Sequence, residues 1–119
     1  HGYQFKLVRV PHSINNGQHT PSFGLFITLA KQKIFITTDT RFCPDILMPY
    51  YIDADLILHD CETSQYSSGQ HARSDDLKSL PTKKKKNMWL SDYDNCSNKQ
   101  ALQDGFAGFA RLGQSFTLQ

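Results

Sequence analysis

Apolar and polar residues alternate or cluster along the first part of the chain in the manner of β-strands. Residues 3–10 alternate between apolar and polar side chains and stop at Pro11, which predicts a half-buried strand. Residues 13–21 (SINNGQHTP) are polar and predict a loop. Two β-branched apolar runs follow at residues 23–29 and 34–38, and the short polar segment between them predicts a hairpin.

The rest of the chain mixes helical patterns with further apolar runs. Three helices are predicted, one that begins at Pro44 and two that span residues 74–80 and 98–106. Three further strands are predicted at residues 55–59, 87–90 and 116–118. Ser74 is the predicted N-cap of its helix, because a serine side chain can accept a hydrogen bond from the first turn. Together these elements predict an α/β (α+β) fold, a mixed β-sheet flanked by helices, in a single domain over residues 1–119.

Composition narrows the class of protein. The chain has 119 residues, 39% of them hydrophobic, and no apolar run approaches the roughly 20 residues that span a bilayer. The N-terminus carries no basic and then apolar secretory segment, although a processed chain would have lost one. We expect no membrane partner and, from the reduced thiols described next, a cytoplasmic location. The net charge of +2 does not imply a polyanionic partner, and the lysine run at residues 83–86 is most simply a solvated loop, since no aromatic residues interrupt it.

The cysteines favour reduced thiols over a disulfide framework. Cys43, Cys61 and Cys96 are odd in number and no two of them form a C-x-x-C pair. Cys61 lies in an apolar strand-end context, which predicts a buried small hydrophobic side chain rather than a nucleophile.

Ionisable side chains recur where the predicted strands end. The residues at these positions are His12, Asp39, His59, Asp60 and Asp92. A strand end is held rigidly by its sheet while it faces solvent or a cleft, so a ligand placed there is pre-positioned. Histidine and aspartate suit Zn²⁺, Mn²⁺ or iron, and a carboxylate can bridge two such ions. Side chains of this kind also serve simply as loop anchors.

Six segments, in this order along the chain, resemble the C-terminal half of the metallo-β-lactamase superfamily. They are PH (11–12), PSFGLFI (21–27), FITTDTR (35–41), ADLILHD (54–60), GQHA (69–72) and WLSDY (89–93). They are most similar to the phosphodiesterase branch that includes ribonuclease Z-like enzymes and cyclic-nucleotide phosphodiesterases. The resemblance implies a metal-dependent hydrolase with a dinuclear Zn²⁺ or Mn²⁺ site and a phosphodiester or nucleotide substrate.

The same resemblance implies roles for individual residues. His12, Asp39 and Asp92 match metal ligands, with Asp39 bridging both ions and Asp92 standing where the superfamily has a histidine. His71 matches a histidine that stabilises the phosphate or protonates the leaving oxygen, and Asp60 matches an acid just behind the ligands. Asp39 and His71 are therefore the expected catalytic residues. A turn-capping carboxylate at Asp39 and a strand-end cap at Asp92 are the structural alternatives.

One motif of the superfamily has no counterpart in this chain. His-x-His-x-Asp-His normally supplies most of the ligands of both ions, whereas a catalytic zinc takes three protein ligands. We therefore expect a C-terminal part without its N-terminal half, with no intact dinuclear site and no activity of its own. Its partner would be the missing N-terminal half or a second copy. The alternatives are a non-catalytic binding or assembly module and a hydrolase of another ester or a β-lactam, because a shared fold does not fix the substrate.

Overall fold

A mixed β-sheet forms the centre of the molecule. The computed structural model describes residues 2–92 and 98–118, and within them the sheet has six strands in the order of the chain. The strands are β1 Gln4–Asn15, β2 Gln18–Thr28, β3 Lys33–Ile36, β4 Leu56–Asp60, β5 Met88–Ser91 and β6 Gly108–Phe109; the helices are α1 Pro44–Asp53, α2 Ser74–Leu77, α3 Thr82–Lys85 and α4 Asn98–Gln103. Strands β1 to β3 are antiparallel, whereas β3 to β6 are parallel. The predicted α/β fold is confirmed.

The hydrophobic core lies on one face of this sheet. Register pairs place four buried residues in a row across neighbouring strands, Phe26, Phe35, Ile57 and Met88. Helix α1 covers this row with Leu47 and Tyr51, both fully buried. Because side chains of a strand alternate between faces, the intervening residues must point the other way.

The opposite face of the sheet is also apolar. A second row runs through paired residues from β1 to β5, namely Leu7, Leu25, Ile36, Leu58 and Trp89. Leu7 is 65% exposed, and Phe116 contacts the Trp89 ring at the other end of the row, with 5.4 Å between ring centroids. Parallel strands usually have both faces covered, so this face has the composition of a packing surface.

The first hairpin differs from the expectation of a strand ending at Pro11 and a loop over residues 13–21. Strands β1 and β2 continue to a two-residue turn at Asn16 and Gly17, whose φ angles are 48° and 76°. Such a turn favours Asn-Gly, because both residues adopt positive φ. Pro11 is tolerated because β1 is an edge strand and needs donors on one side only.

Smaller differences concern the later elements. Helix α2 begins at Ser74, and Arg73 takes the N-cap position without a side-chain cap, so Ser74 is not the N-cap. Residues 116–118 form no strand, and the last strand is β6. The lysine run forms α3 rather than a loop, and the Nζ of Lys84 and that of Lys85 donate to the carbonyls of Ile52 and Asp104, respectively.

Of the remaining sequence predictions, some concern described residues and others concern residues that the structure does not describe. Cys61 is 2% exposed within the core, as expected of a small hydrophobic side chain. Tyr93 and Cys96 lie outside the described residues. No helix in the described ranges is long and apolar enough to cross a membrane.

Gly24 permits close packing where β2 passes the end of β3. A Cβ atom on Gly24 would lie 2.8 Å from the Ile36 carbonyl oxygen and 3.0 Å from that of Thr37. Both contacts are with main-chain atoms, which cannot move aside cheaply.

We expect Gly24→Ala to lower the free energy of unfolding by about 1–3 kcal/mol, the range for overpacking in a well-packed core. Urea unfolding followed by circular dichroism measures the change. Gly2→Ala is the matched control, because no atom lies within 4 Å of a Cβ there. Equal stability of both variants would contradict this account of Gly24.

Candidate metal centre

Asp39 lies just after the end of β3, and the residue before it, Thr38, has a strained backbone conformation. Thr38 has a φ of 54°, which a β-branched residue rarely adopts. Its hydroxyl lies 2.8 Å from the carbonyl oxygen of Phe23, to which it can donate, and 3.1 Å from the Ser22 hydroxyl. These contacts hold the turn that places Asp39 at the carboxyl-terminal edge of the parallel strands, where ligands of open α/β sheets bind.

Asp60 ends β4 at the same edge, with only 6% of its surface exposed. Its Oδ2 accepts hydrogen bonds from the Thr40 main-chain N–H at 2.9 Å and from His71 Nδ1 at 2.6 Å. Its own N–H donates to the Thr37 hydroxyl at 2.9 Å. Asp60 is therefore held in place by two segments, the turn after β3 that carries Thr37 and Thr40 and the segment that carries His71.

Asp39, Asp60 and His71 come together as one cluster. One ligand atom from each lies within 4.8 Å of the others, and among the described residues this is the one such group of His, Cys, Asp or Glu. Asp39 and Asp60 also line a cavity of about 210 Å³ with Ser91. The two carboxylates are oxygen donors of the kind that bind Zn²⁺ or Mn²⁺, whereas an imidazole can bind such an ion only when it is unprotonated.

The electrostatics of the cluster favour a proton on His71. Burial lowers the pKa of His71, but its hydrogen bond to Asp60 and the nearby Asp39 and Glu62 carboxylates outweigh burial and raise that pKa above 6.5. Burial also raises the pKa of the Asp60 carboxyl group, and hydrogen bonds from His71 and Thr40 offset this only in part.

His12 lies beside the cluster rather than within it. The pairing of β1 with β2 shifts register between Pro11 and Ser13, so His12 occupies a β-bulge, a feature that can re-aim a side chain. Its Nδ1 lies 3.1 Å from the Gln70 carbonyl oxygen and must donate to it, which leaves Nε2 unprotonated in the neutral ring. Metal-binding histidines commonly have this arrangement. The His12 and His71 rings are 5.5 Å apart.

The structure thus brings together some of the residues singled out in the sequence and not others. Asp39, Asp60 and His71 meet, His12 adjoins them through His71, and Asp92 is not a member of the cluster. Asp60, expected behind the ligands, contributes a carboxylate oxygen to the cluster itself. No sequence signal identified the strained Thr38 or the bulge at His12, because both depend on strand pairing.

A buried hydrogen-bonded pair supports Asp60 from the core. His59 Nδ1 donates to the Asp60 carbonyl at 2.7 Å, and the Tyr51 hydroxyl must then donate to His59 Nε2, at 2.6 Å. Neither side chain is exposed. Burial lowers the pKa of His59 to about 4 and raises the pKa of Tyr51, so both side chains are neutral at pH 7.

Comparison with known proteins supports the fold. A family model described as "Anti-Pycsar protein Apyc1" matches residues 1–116. The crystal structure of the metallo-β-lactamase fold protein YhfI from Bacillus subtilis is similar, with a TM-score of 0.60 and 15% sequence identity. That match covers 90% of this chain and 45% of YhfI, so the chain spans less than half the length of YhfI. No curated protein matches the chain.

These findings confirm the resemblance to the metallo-β-lactamase superfamily at the level of the fold. At 15% identity the likeness to YhfI concerns the fold alone. The ribonuclease Z-like branch, the identity of the metal, the roles of the site residues and the cellular location stay predictions.

Acid should destabilise the fold through His59. Its pKa is 6.5 in the unfolded chain and about 4 in the folded chain, so only the unfolded state gains a proton between those values. By itself, this difference lowers the free energy of unfolding by about 3 kcal/mol as pH decreases from 7 to 4, while His71 and Asp60, whose pKa values are raised in the folded chain, act in the opposite direction. Urea unfolding of wild type and variants across this range measures the contribution of His59. His59→Gln should lose it, whereas His19→Gln, which removes an exposed histidine, should keep it; the same pH dependence in His59→Gln and in the wild type would contradict the assignment.

Metal affinity should depend on Asp39. We expect Asp39→Asn to weaken Zn²⁺ and Mn²⁺ binding at least roughly tenfold, because an amide oxygen carries no charge to offset that of the ion. Isothermal titration calorimetry measures the affinity. Asp76→Asn removes an exposed carboxylate on α2 and is the matched control. If both variants bind metal as the wild type does, Asp39 is not a ligand.

Proposed function

Because this chain belongs to the anti-Pycsar Apyc1 family, we propose that it forms part of a metal-dependent hydrolase that cleaves phosphodiester bonds of nucleotides. The observation that carries the proposal is the meeting of Asp39, Asp60 and His71 at the edge of a metallo-β-lactamase-like sheet. The name of the family also supports the proposal that the complete protein acts against Pycsar.

Asp39 and His12 are the proposed metal ligands. Asp39 would hold an ion through its carboxylate, and His12 would do so through Nε2, because its Nδ1 donates to the Gln70 carbonyl oxygen. When bound, Zn²⁺ or Mn²⁺ supplies positive charge that lowers the pKa of a water and stabilises charge on the phosphoryl oxygens.

His71 is the proposed proton donor to the leaving oxygen. Its Nδ1 proton is fixed on Asp60 at 2.6 Å, so Nε2 is the nitrogen that can exchange a proton with a substrate. Burial lowers the pKa of His71, but the hydrogen bond to Asp60 and the nearby carboxylates raise it overall, which favours the protonated ring that a general acid requires. Asp60 orients the ring, because its Oδ2 already accepts two hydrogen bonds.

Two observations support the proposal that a second sheet completes the site. The row from Leu7 to Trp89 presents an apolar face, and sheets pack face to face about 10 Å apart. The chain also spans only 45% of YhfI. A sheet on this face would end beside Asp39 and could supply the remaining ligands. The 119-residue chain is then one part of the domain, inactive by itself.

A non-catalytic binding or assembly module is the second candidate. Asp92 favours it, because Asp92 stands where the superfamily has a histidine and is not part of the cluster. A chain that is not required to hold two ions can tolerate such a change, and the apolar face would then serve assembly.

Hydrolysis by the complete protein tests the proposal. With Zn²⁺ or Mn²⁺ it should cleave bis(p-nitrophenyl) phosphate and cyclic mononucleotides. Asp39→Asn should lose both metal and turnover. His71→Gln should lower kcat roughly a hundredfold or more, the usual contribution of a general acid, while metal content stays the same.

Asp76→Asn is the control, since its exposed carboxylate lies outside the cluster. Undiminished hydrolysis by Asp39→Asn would overturn the proposed site. Absence of hydrolysis with either metal would favour the binding module instead.

A further inference from the structure

A second cavity lies next to the cluster, between the β1–β2 hairpin and α1. Its volume is about 380 Å³, within the range of small-molecule sites and larger than a purine ring requires. Pro11, His12, Pro21 and Ile46 contribute to its walls. Apart from His12, none of the residues that line it belongs to the metal centre described above.

Paired prolines contribute to the apolar part of the cavity. Pro11 and Pro21 are direct register partners in β1 and β2, so neither can donate a hydrogen bond to the other strand. Their rings are rigid and apolar, and Ile46, 48% exposed on α1, adds a further apolar side chain. The β1–β2 hairpin therefore lacks two main-chain hydrogen-bond donors at this position. The two proline rings provide an apolar surface on which a planar ring can lie.

Polar side chains complete the lining. Arg9 and Thr20 contribute to it and are both exposed. A guanidinium group can donate to ring nitrogens or carbonyls or stack on an aromatic face, and a hydroxyl can donate or accept. An apolar wall with hydrogen-bonding groups fits a heteroaromatic ring better than it fits an aliphatic chain.

His12 connects this cavity to the metal centre. It lines the cavity, and its ring centroid lies 5.5 Å from that of His71. A ligand in the cavity would therefore lie one side chain away from the cluster, a distance that the sugar of a nucleotide can span.

We propose that the cavity formed by Pro11, Pro21 and Ile46 binds the base of a nucleotide whose phosphodiester lies at the Asp39 and His71 cluster. The inference rests on the proposed phosphodiesterase function and deepens it by assigning the base to a site on this chain. Recognition through a ring face and few polar groups predicts affinity for both purines and pyrimidines.

Nucleoside binding to the complete protein tests the cavity separately from hydrolysis. Adenosine and cytidine carry no phosphate, so they report on the cavity alone. In methyl NMR spectra, the Ile46 signal should shift in a saturable way with either nucleoside. Ile52, 64% exposed on the same helix but absent from the cavity wall, should not respond.

Variants give the second measurement. Ile46→Ser should weaken nucleoside affinity about fivefold, because a lost apolar contact is worth roughly 1 kcal/mol. Arg9→Gln should weaken it by a similar factor, because it removes the guanidinium group from the lining. Both variants should raise KM for cyclic mononucleotides with little change in kcat. Ile52→Ser is the matched control and should change neither value. If the complete protein binds nucleosides but does not hydrolyse cyclic mononucleotides, the proposed phosphodiesterase function is rejected and the proposed base-binding cavity is retained.

Two results would overturn the inference. One is the absence of a saturable Ile46 shift with either nucleoside. The other is cyclic-nucleotide hydrolysis in which Ile46→Ser and Ile52→Ser have the same KM as the wild type.

Discussion

The carboxylate of Asp60 is the group on which the geometry of the site depends. It is almost fully buried and accepts hydrogen bonds from the Thr40 main chain and from His71. It therefore ties the turn that carries Asp39 and the segment that carries His71 to the end of β4. A buried carboxylate without these donors would be costly, and the donors would lose their partner in turn.

The support of Asp60 extends into the core. His59 holds its carbonyl group, and the Tyr51 hydroxyl fixes the tautomer of His59, so a line of hydrogen bonds runs from α1 to the edge of the sheet. A fully satisfied buried network of this kind is rigid, because each group would lose a partner if its neighbour moved. The position of His71 is thus set by the hydrophobic packing of α1 as well as by the loop that carries it.

The exposed apolar face of the sheet and the shortage of metal donors would both be resolved by a second sheet packed on that face. One face is covered by α1, whereas Leu7 at the start of the other row stays largely exposed. The cluster offers carboxylates to a metal, but this sequence contains no His-x-His-x-Asp-His motif to add further ligands. A second sheet on the exposed face would remove apolar surface from water and bring new side chains to the same edge.

Local patterns in the sequence determined the positions of β3, β4, β5 and α1 and placed Asp39 at a strand end, because hydrophobic periodicity and proline act over a few residues. The end of the first predicted strand also singled out His12, whereas only the resemblance brought in His71. Only the tertiary structure decided which side chains meet: the contact between Asp60 and His71, the bulge at His12 and the cluster of Asp39, Asp60 and His71. The hairpin around Asn16 and Gly17 carried a recognisable turn signal, but its continuation through Pro11 required the edge position of β1. Such features depend on register and on contacts between residues far apart in the chain, which no local pattern encodes.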